Sequence, residues 1–416
     1  MRQESWNYRA FLWHAALLAV TTTFTDINTV LPSLFLKLGG GELHLGVLTG
    51  IMVGVPLAGQ LLFAGWLHGR PRKKPYLLLA VNLRILAMAM LAFSLHKADQ
   101  WVPWVAFTVL YGELLLFTLS GAFAGISYMD LVGKSFRGTL RRRFVLFRQA
   151  FMSGGIFLSA LLTRWILMVR EAPGSYVLLF GLAAGALLLA SLGFWGLREP
   201  VNPPAESRRL WATLVSIPKL LRGDRNLRRY IAAANLLGLG TVLLPFYVAL
   251  ARRSYGLDQD FLGNLIFIQI GGMIAGNLIW PRVVRARGFK GMMAVWSILG
   301  VLVPLTAVVL AGRIPRSFFL GIFTLTGLYL GAQKVTSDAV LMEITDDGNR
   351  ALYTGVFGTF NLTLALAPVL MGALVMVLGF APIFTAASLA ALLALPLTRG
   401  MVCPVDLPGQ SPEDQS

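Results

Sequence analysis

Twelve stretches of roughly 20 residues run along this chain with almost no charge, separated by short turns. Each is long enough to cross a hydrocarbon core of about 30 Å as a helix. In lipid an open strand leaves its backbone groups unsatisfied, so every stretch reads as a helix. They lie near 10–36, 44–67, 76–95, 101–127, 144–169, 175–196, 229–250, 259–280, 291–311, 317–341, 351–378 and 381–398. Gly39-Gly40-Gly41, Pro71, Pro173-Gly174, Pro281, Pro315 and Gly379 punctuate them.

Composition agrees. Hydrophobic residues make up 56% and charged residues 13%, against about 25% charged in an ordinary soluble domain. That excludes a water-soluble enzyme with a normal surface. The net charge of +17 does not call for nucleic acid, because Lys and Arg collect in the cytoplasmic loops of membrane proteins. With the N-terminus inside, roughly 26 basic residues face the cytoplasm and about 7 the outside, which places both termini in the cytoplasm. Trp66, Trp101, Trp104, Trp165, Trp195 and Trp280 sit at span ends as interface anchors. Cys403 is the sole cysteine, and His14, His44, His68 and His96 lack ligand spacing. The expectation is no metal, no cofactor and no disulfide. The first apolar run is too long for a cleaved signal peptide and reads as a span.

Four segments follow. Residues 1–196 hold six spans, 197–228 form a cytoplasmic linker, 229–400 hold six more, and 401–416 form a cytoplasmic tail read as disordered. In the linker, Leu210, Trp211, Leu214 and Val215 recur at helical spacing among Arg208, Arg209, Lys219 and Arg222. That suits either an interfacial helix or a solvated basic connection.

The two six-span segments repeat one another. Met129-Asp130 is followed by Arg137, and 213 residues on Met342-Glu343 is followed by Arg350. Leu57-Ala58-Gly59-Gln60-Leu61-Leu62 matches Ile274-Ala275-Gly276-Asn277-Leu278-Ile279 in type. Thr29-Val30-Leu31-Pro32 finds its echo in Thr241-Val242-Leu243-Leu244-Pro245, and Phe144 in Phe357. Matches in the right order point to duplication, the plan of many transporters.

With these residues in view, the whole chain resembles the major facilitator superfamily. The basic loop after span 2, Gly65-Trp66-Leu67-His68-Gly69-Arg70-Pro71-Arg72-Lys73-Lys74, is similar to that family's loop motif. Gly69 stands where the motif has an acid. The resemblance implies an all-α membrane protein: twelve transmembrane helices in two six-helix halves related by pseudo-two-fold symmetry. It also implies that spans 1, 4, 7 and 10 line a central cavity.

Ionisable groups at mid-membrane cost at least about 2.5–3.5 kcal/mol on insertion scales, so they are functional candidates. Asp26 lies within Thr21–Thr29, the most polar run in any span, with Thr22 and Asn28 beside it. Thr22, Asp26, Thr29 and Ser33 share one face of a continuous helix. Asp26 reads as a substrate or proton site, or as a structural acid satisfied by neighbouring hydroxyls. Glu113 in span 4 reads as a coupling acid or as the partner of Arg84. Lys334 and Asp338 in span 10, four residues apart, either hold a substrate's anionic group or neutralise each other. Arg164 snorkels at the outer end of span 5. At the cytoplasmic ends, Arg70, Asp130, Arg137, Arg148, Glu343 and Arg350 read as a gate of ion pairs, or as caps that fix loop geometry.

The functional expectation is a secondary active transporter, not an enzyme. It moves a small organic solute by alternating access, coupled to protons, with efflux favoured over metabolite import. A non-transporting sensor on the same fold is the alternative. No nucleotide-binding loop is present. The partners expected are the solute, protons and the lipid of a bacterial cytoplasmic membrane, with the chain a monomer and no nucleic acid bound.

Overall fold

The computed structural model describes residues 2–68, 70–136, 138–199, 222–343 and 363–401. Every element among them is helical. Ten helices are long and apolar enough to cross a membrane among the described residues. The chain divides into two compact units: Met1–Ser207 with Gly256–Phe267, and Arg208–Tyr255 with Ile268–Ser416.

The first unit comprises α1 (Arg2–Phe24), α2 (Val30–Lys37), α3 (Glu42–Thr49), α4 (Val55–His68), α5 (Lys74–Lys97), α6 (Pro103–Ser135), α7 (Gly138–Val169) and α8 (Gly174–Trp195). A π-helical turn at Gly50–Gly54 joins α3 to α4. On α5, Leu79, Leu86, Met90 and Phe93 are exposed along one stripe, whereas Leu77, Ala80, Val81, Met88, Leu91 and Leu95 are buried. A helix that is apolar all round but buried on one side only is suited to lipid on the other. The core at the loop end gathers Phe11, Phe136, Phe144 and Phe194 with Leu77 and Val81. Phe136 and Phe144 lie 4.7 Å apart between ring centroids. Gly155 presses against α1, where a Cβ would stand 2.7 Å from that of Ala19.

The second unit comprises α9 (Arg225–Val242), α10 (Leu244–Tyr255), α11 (Gln259–Leu310) from Ile268 onward, α12 (Arg316–Glu343), α13 (Thr363–Leu378) and α14 (Phe380–Arg399). α11 runs without a break in its assignment but turns at Gly288, whose φ of 65° and ψ of −178° are not helical. Only glycine takes that conformation freely. α11 is therefore two spans, Gln259–Gly288 and Lys290–Leu310. α11 and α12 meet without intervening side chains: a Cβ on Gly272 would lie 2.3 Å from the Thr324 carbonyl oxygen, and one on Gly327 2.1 Å from that of Gln269. Small residues at a helix crossing permit such approach in membranes.

Several boundaries depart from the sequence expectation. Span 1 is not one helix: α1 ends at Phe24 and α2 begins at Val30. Span 7 breaks likewise at Leu243. In both cases a proline follows within the next three residues of helix, Pro32 in α2 and Pro245 in α10. Proline lacks the N–H that would continue the ladder and is accommodated in a helix's first turn. The linker expected to run to residue 228 gives way to α9 at Arg225, because the Asp224 carboxylate accepts the Leu227 amide at 2.9 Å and caps the helix. Spans 4 and 5 run longer than expected, as α6 and α7. Trp280 is buried rather than anchored at an interface; it folds back over Gly276, whose Cβ would stand 2.6 Å from the indole nitrogen. The linker segment Leu210–Val215 lies outside the described residues.

Candidate functional site

The break in span 1 is built around Asp26. Its Oδ1 accepts the amides of Asn28 at 3.0 Å and Thr29 at 2.8 Å, and the Thr29 hydroxyl at 2.7 Å. These are amides that a continuous helix would have bonded to its own carbonyls. The carboxylate thus closes the turn that precedes α2. The expected stripe of Thr22, Asp26, Thr29 and Ser33 is lost, because the helix does not continue through it. Thr22 is exposed and bonds back to the Ala19 carbonyl at 2.9 Å. Ser33 meets the buried Tyr176 hydroxyl of α8 at 2.8 Å. The second unit treats its break similarly. The Tyr329 hydroxyl of α12 donates to the Leu237 carbonyl at 2.7 Å and lies 3.4 Å from the Thr241 hydroxyl.

Glu113 is buried in α6 and accepts the Ser94 hydroxyl of α5 at 2.6 Å through Oε1, while Oε2 is buried with no hydrogen-bond partner. The Arg84 partnership expected from the sequence is absent: the Arg84 guanidinium carbon sits 4.4 Å from the centre of the Phe117 ring. Ser94, unremarked in the sequence, is the polar group that α5 turns toward Glu113. Lys334 is exposed on α12. The side chains of Asp338 and Glu343, and all of Arg137 and Arg350, lie outside the described residues.

The loop end of the first unit holds an ion cluster whose centre the sequence did not flag. Glu199, which follows α8, accepts the amide of Lys73 at 2.7 and 2.9 Å and that of Lys74 at 2.9 Å. These are the first amides of α5, where a negative charge also complements the helix dipole. Lys134 of α6 reaches Glu199 at 3.3 Å and Asp130 at 2.7 Å. The Lys74 ammonium donates to the carbonyls of Trp195 and Leu197, and that of Lys73 to the carbonyls of Leu67 and Arg70. Asn7 of α1 joins in, donating to Ser135 at 3.2 Å and the Arg198 carbonyl at 3.0 Å. Asp130 pairs with Lys134 rather than with Arg148, whose guanidinium carbon lies 5.6 Å from the Tyr128 ring centre. The Arg164 guanidinium carbon lies 5.5 Å from the ring centre of Phe267 in the same unit.

No protein-family model and no curated protein matches the sequence. Solved structures do. A point mutant of the nucleoside transporter NupG superposes with a TM-score of 0.69 at 12% identity, over 96% of this chain and 99% of that one. The chain shares that transporter's fold. A POT family transporter in complex with a thioalcohol-conjugated peptide gives a TM-score of 0.66 at 11% identity, over 96% and 95% of the two chains. A bacterial homologue of the human lysosomal transporter Spinster, inward-facing and unoccupied, gives 0.62 at 12%, over 95% and 96%. At such identities the fold alone is what is shared, and the ligands in those names belong to those proteins.

Proposed function

We propose that this protein is a secondary active transporter that moves a small organic solute across a bacterial cytoplasmic membrane by alternating access. Two six-helix halves, related by pseudo-two-fold symmetry, rock about a midplane cavity, with both termini in the cytoplasm. The observation that carries the reading is the transporter fold over at least 95% of the chain. The breaks in spans 1 and 7 support it. They fall at matching points of the two repeats, and interrupted helices are where transporters of several folds place their ligands.

Protons are the coupling ion in this proposal, and Glu113 is the carrier. Asp26 is committed to three hydrogen bonds within its own chain segment, whereas Glu113 keeps one buried oxygen without a partner. The cluster of Glu199, Lys134 and Asp130 is proposed as the clasp that keeps the first half rigid while it rocks.

Glu113→Gln is expected to abolish solute movement driven by a pH gradient in reconstituted vesicles while leaving solute exchange intact. Asp26→Asn keeps the Oδ1 acceptor and is expected to retain pH-driven movement. Asp26→Ala removes the three hydrogen bonds that hold the turn and is expected to cost about 1 kcal/mol of stability or more. Full pH-driven activity in Glu113→Gln would refute the coupling assignment.

A further inference from the structure

Within the first unit, two arginines and a histidine from three helices lie against aromatic rings, with no acid among the described residues paired to them. His14 of α1 stacks on Phe194 of α8 and faces Tyr128 of α6, at centroid distances of 4.2 and 5.8 Å. Arg148 of α7 also lies against that tyrosine. Arg84, near the middle of α5, lies over Phe117 and has room to do so because Gly121 is beside it; a Cβ there would be 3.5 Å from Arg84 Nε. His14 is within electrostatic reach of both arginines. The Nε atoms of Arg84 and Arg148 and the Nδ1 of His14 are buried with no hydrogen-bond partner.

Among the described residues, no carboxylate comes within 4.0 Å of either guanidinium. Glu113 sits one turn from Phe117 on α6 but spends its Oε1 on Ser94. Asp130, two residues past Tyr128, is paired with Lys134. Glu199 is held by the start of α5 and by Lys134. A charge at membrane depth is ordinarily paired or faces a water-filled path. Here two arginines have rings for neighbours and no counterion among the described residues.

We propose that Arg84, Arg148 and His14 form a binding site for the anionic group, a carboxylate or a phosphate, of a small organic solute. The guanidinium forks match the planar geometry of such groups and form charge-assisted hydrogen bonds to them. His14 adds a ring nitrogen, and Phe117, Tyr128 and Phe194 wall the site. The site names the class of cargo for the transport reading and rests on that reading.

The test is thermal unfolding of the purified full-length protein in detergent, with sodium benzoate and with inorganic phosphate, against sodium chloride at equal ionic strength. A ligand that binds only the folded protein raises the midpoint. At least one of the two anions is expected to raise the wild-type midpoint, and the rise is expected to vanish in both Arg84→Gln and Arg148→Gln. Arg84→Lys, which keeps the charge without the fork, is expected to retain part of it and guards against a folding failure of the glutamine variants. No anion-specific rise in the wild type, or an undiminished rise in either glutamine variant, overturns the proposal. The readout is binding, so its failure leaves the transport reading standing if the two halves are seen to exchange conformations by spin-label distances.

Discussion

Glu199→Ala is expected to be among the most destabilising single changes at the loop end of the first unit, at about 3 kcal/mol or more. The carboxylate is 5% exposed and accepts two backbone amides together with the Lys134 ammonium. Removing it leaves the start of α5 without an acceptor and strands Lys134, itself only 9% exposed, beside Asp130 alone. An acceptor lost from a buried group costs the desolvation of everything it satisfied. Lys134→Met is the informative contrast. Glu199 then keeps its amides, and Asp130 at 37% exposure can turn to water, so the loss is expected to be about 1 kcal/mol. Glu199→Gln retains one acceptor oxygen and should fall between. Thermal midpoints of the three variants in one detergent check the order; equal losses for Glu199→Ala and Lys134→Met would show that the amides contribute nothing.

Gly327→Ala is expected to cost about 3 kcal/mol or to prevent folding, although it adds one methyl group. That methyl would lie 2.1 Å from the Gln269 carbonyl oxygen, 2.7 Å from the Met273 amide nitrogen and 2.9 Å from Gly272 Cα. All three are backbone atoms, so no side chain can swing away, and α11 and α12 must part. The control is Gly321→Ala on the same helix, where a Cβ meets nothing within 4 Å. There the better helix propensity of alanine should leave stability unchanged or raised by up to about 1 kcal/mol. Thermal unfolding of the two variants side by side checks this, and a Gly327→Ala protein as stable as Gly321→Ala would contradict the close crossing.

Much of the architecture was legible because lipid permits so little else. Apolar runs of sufficient length become helices, and glycine and proline mark most of their turns, except that Pro281, expected to end span 8, lies within helix and the turn falls at Gly288. The breaks in spans 1 and 7 are written in Pro32 and Pro245, which fall at corresponding places in the two repeats. Asp26 was singled out for its charge, but its chemistry here is local. A short acid next to threonine competes well for backbone amides, and spacing alone does not reveal that a helix yields to it. Glu199 was missed because its partners are amides of Lys73 and Lys74, more than a hundred residues away. The first half's loop motif showed only the loss at Gly69. Arg84 entered the sequence reading as a neutralising partner for Glu113, since an unpaired cation at that depth is the costlier expectation. The ends of the second repeat, from Glu343 to Arg350, lie outside the described residues, so the gate there rests on the duplication argument.

The central claim, that two halves alternate in exposing a shared site, is tested most directly by paired spin-label distances in a Cys403→Ser background. One pair, Arg72→Cys with Arg285→Cys, reports on the basic ends of the two units. The other, Leu43→Cys with Arg253→Cys, reports on their opposite ends. In lipid nanodiscs the account expects two distance populations for each pair, with the short population of one pair rising as that of the other falls between acidic and alkaline pH. A single unchanging distance for both pairs at every pH would contradict it.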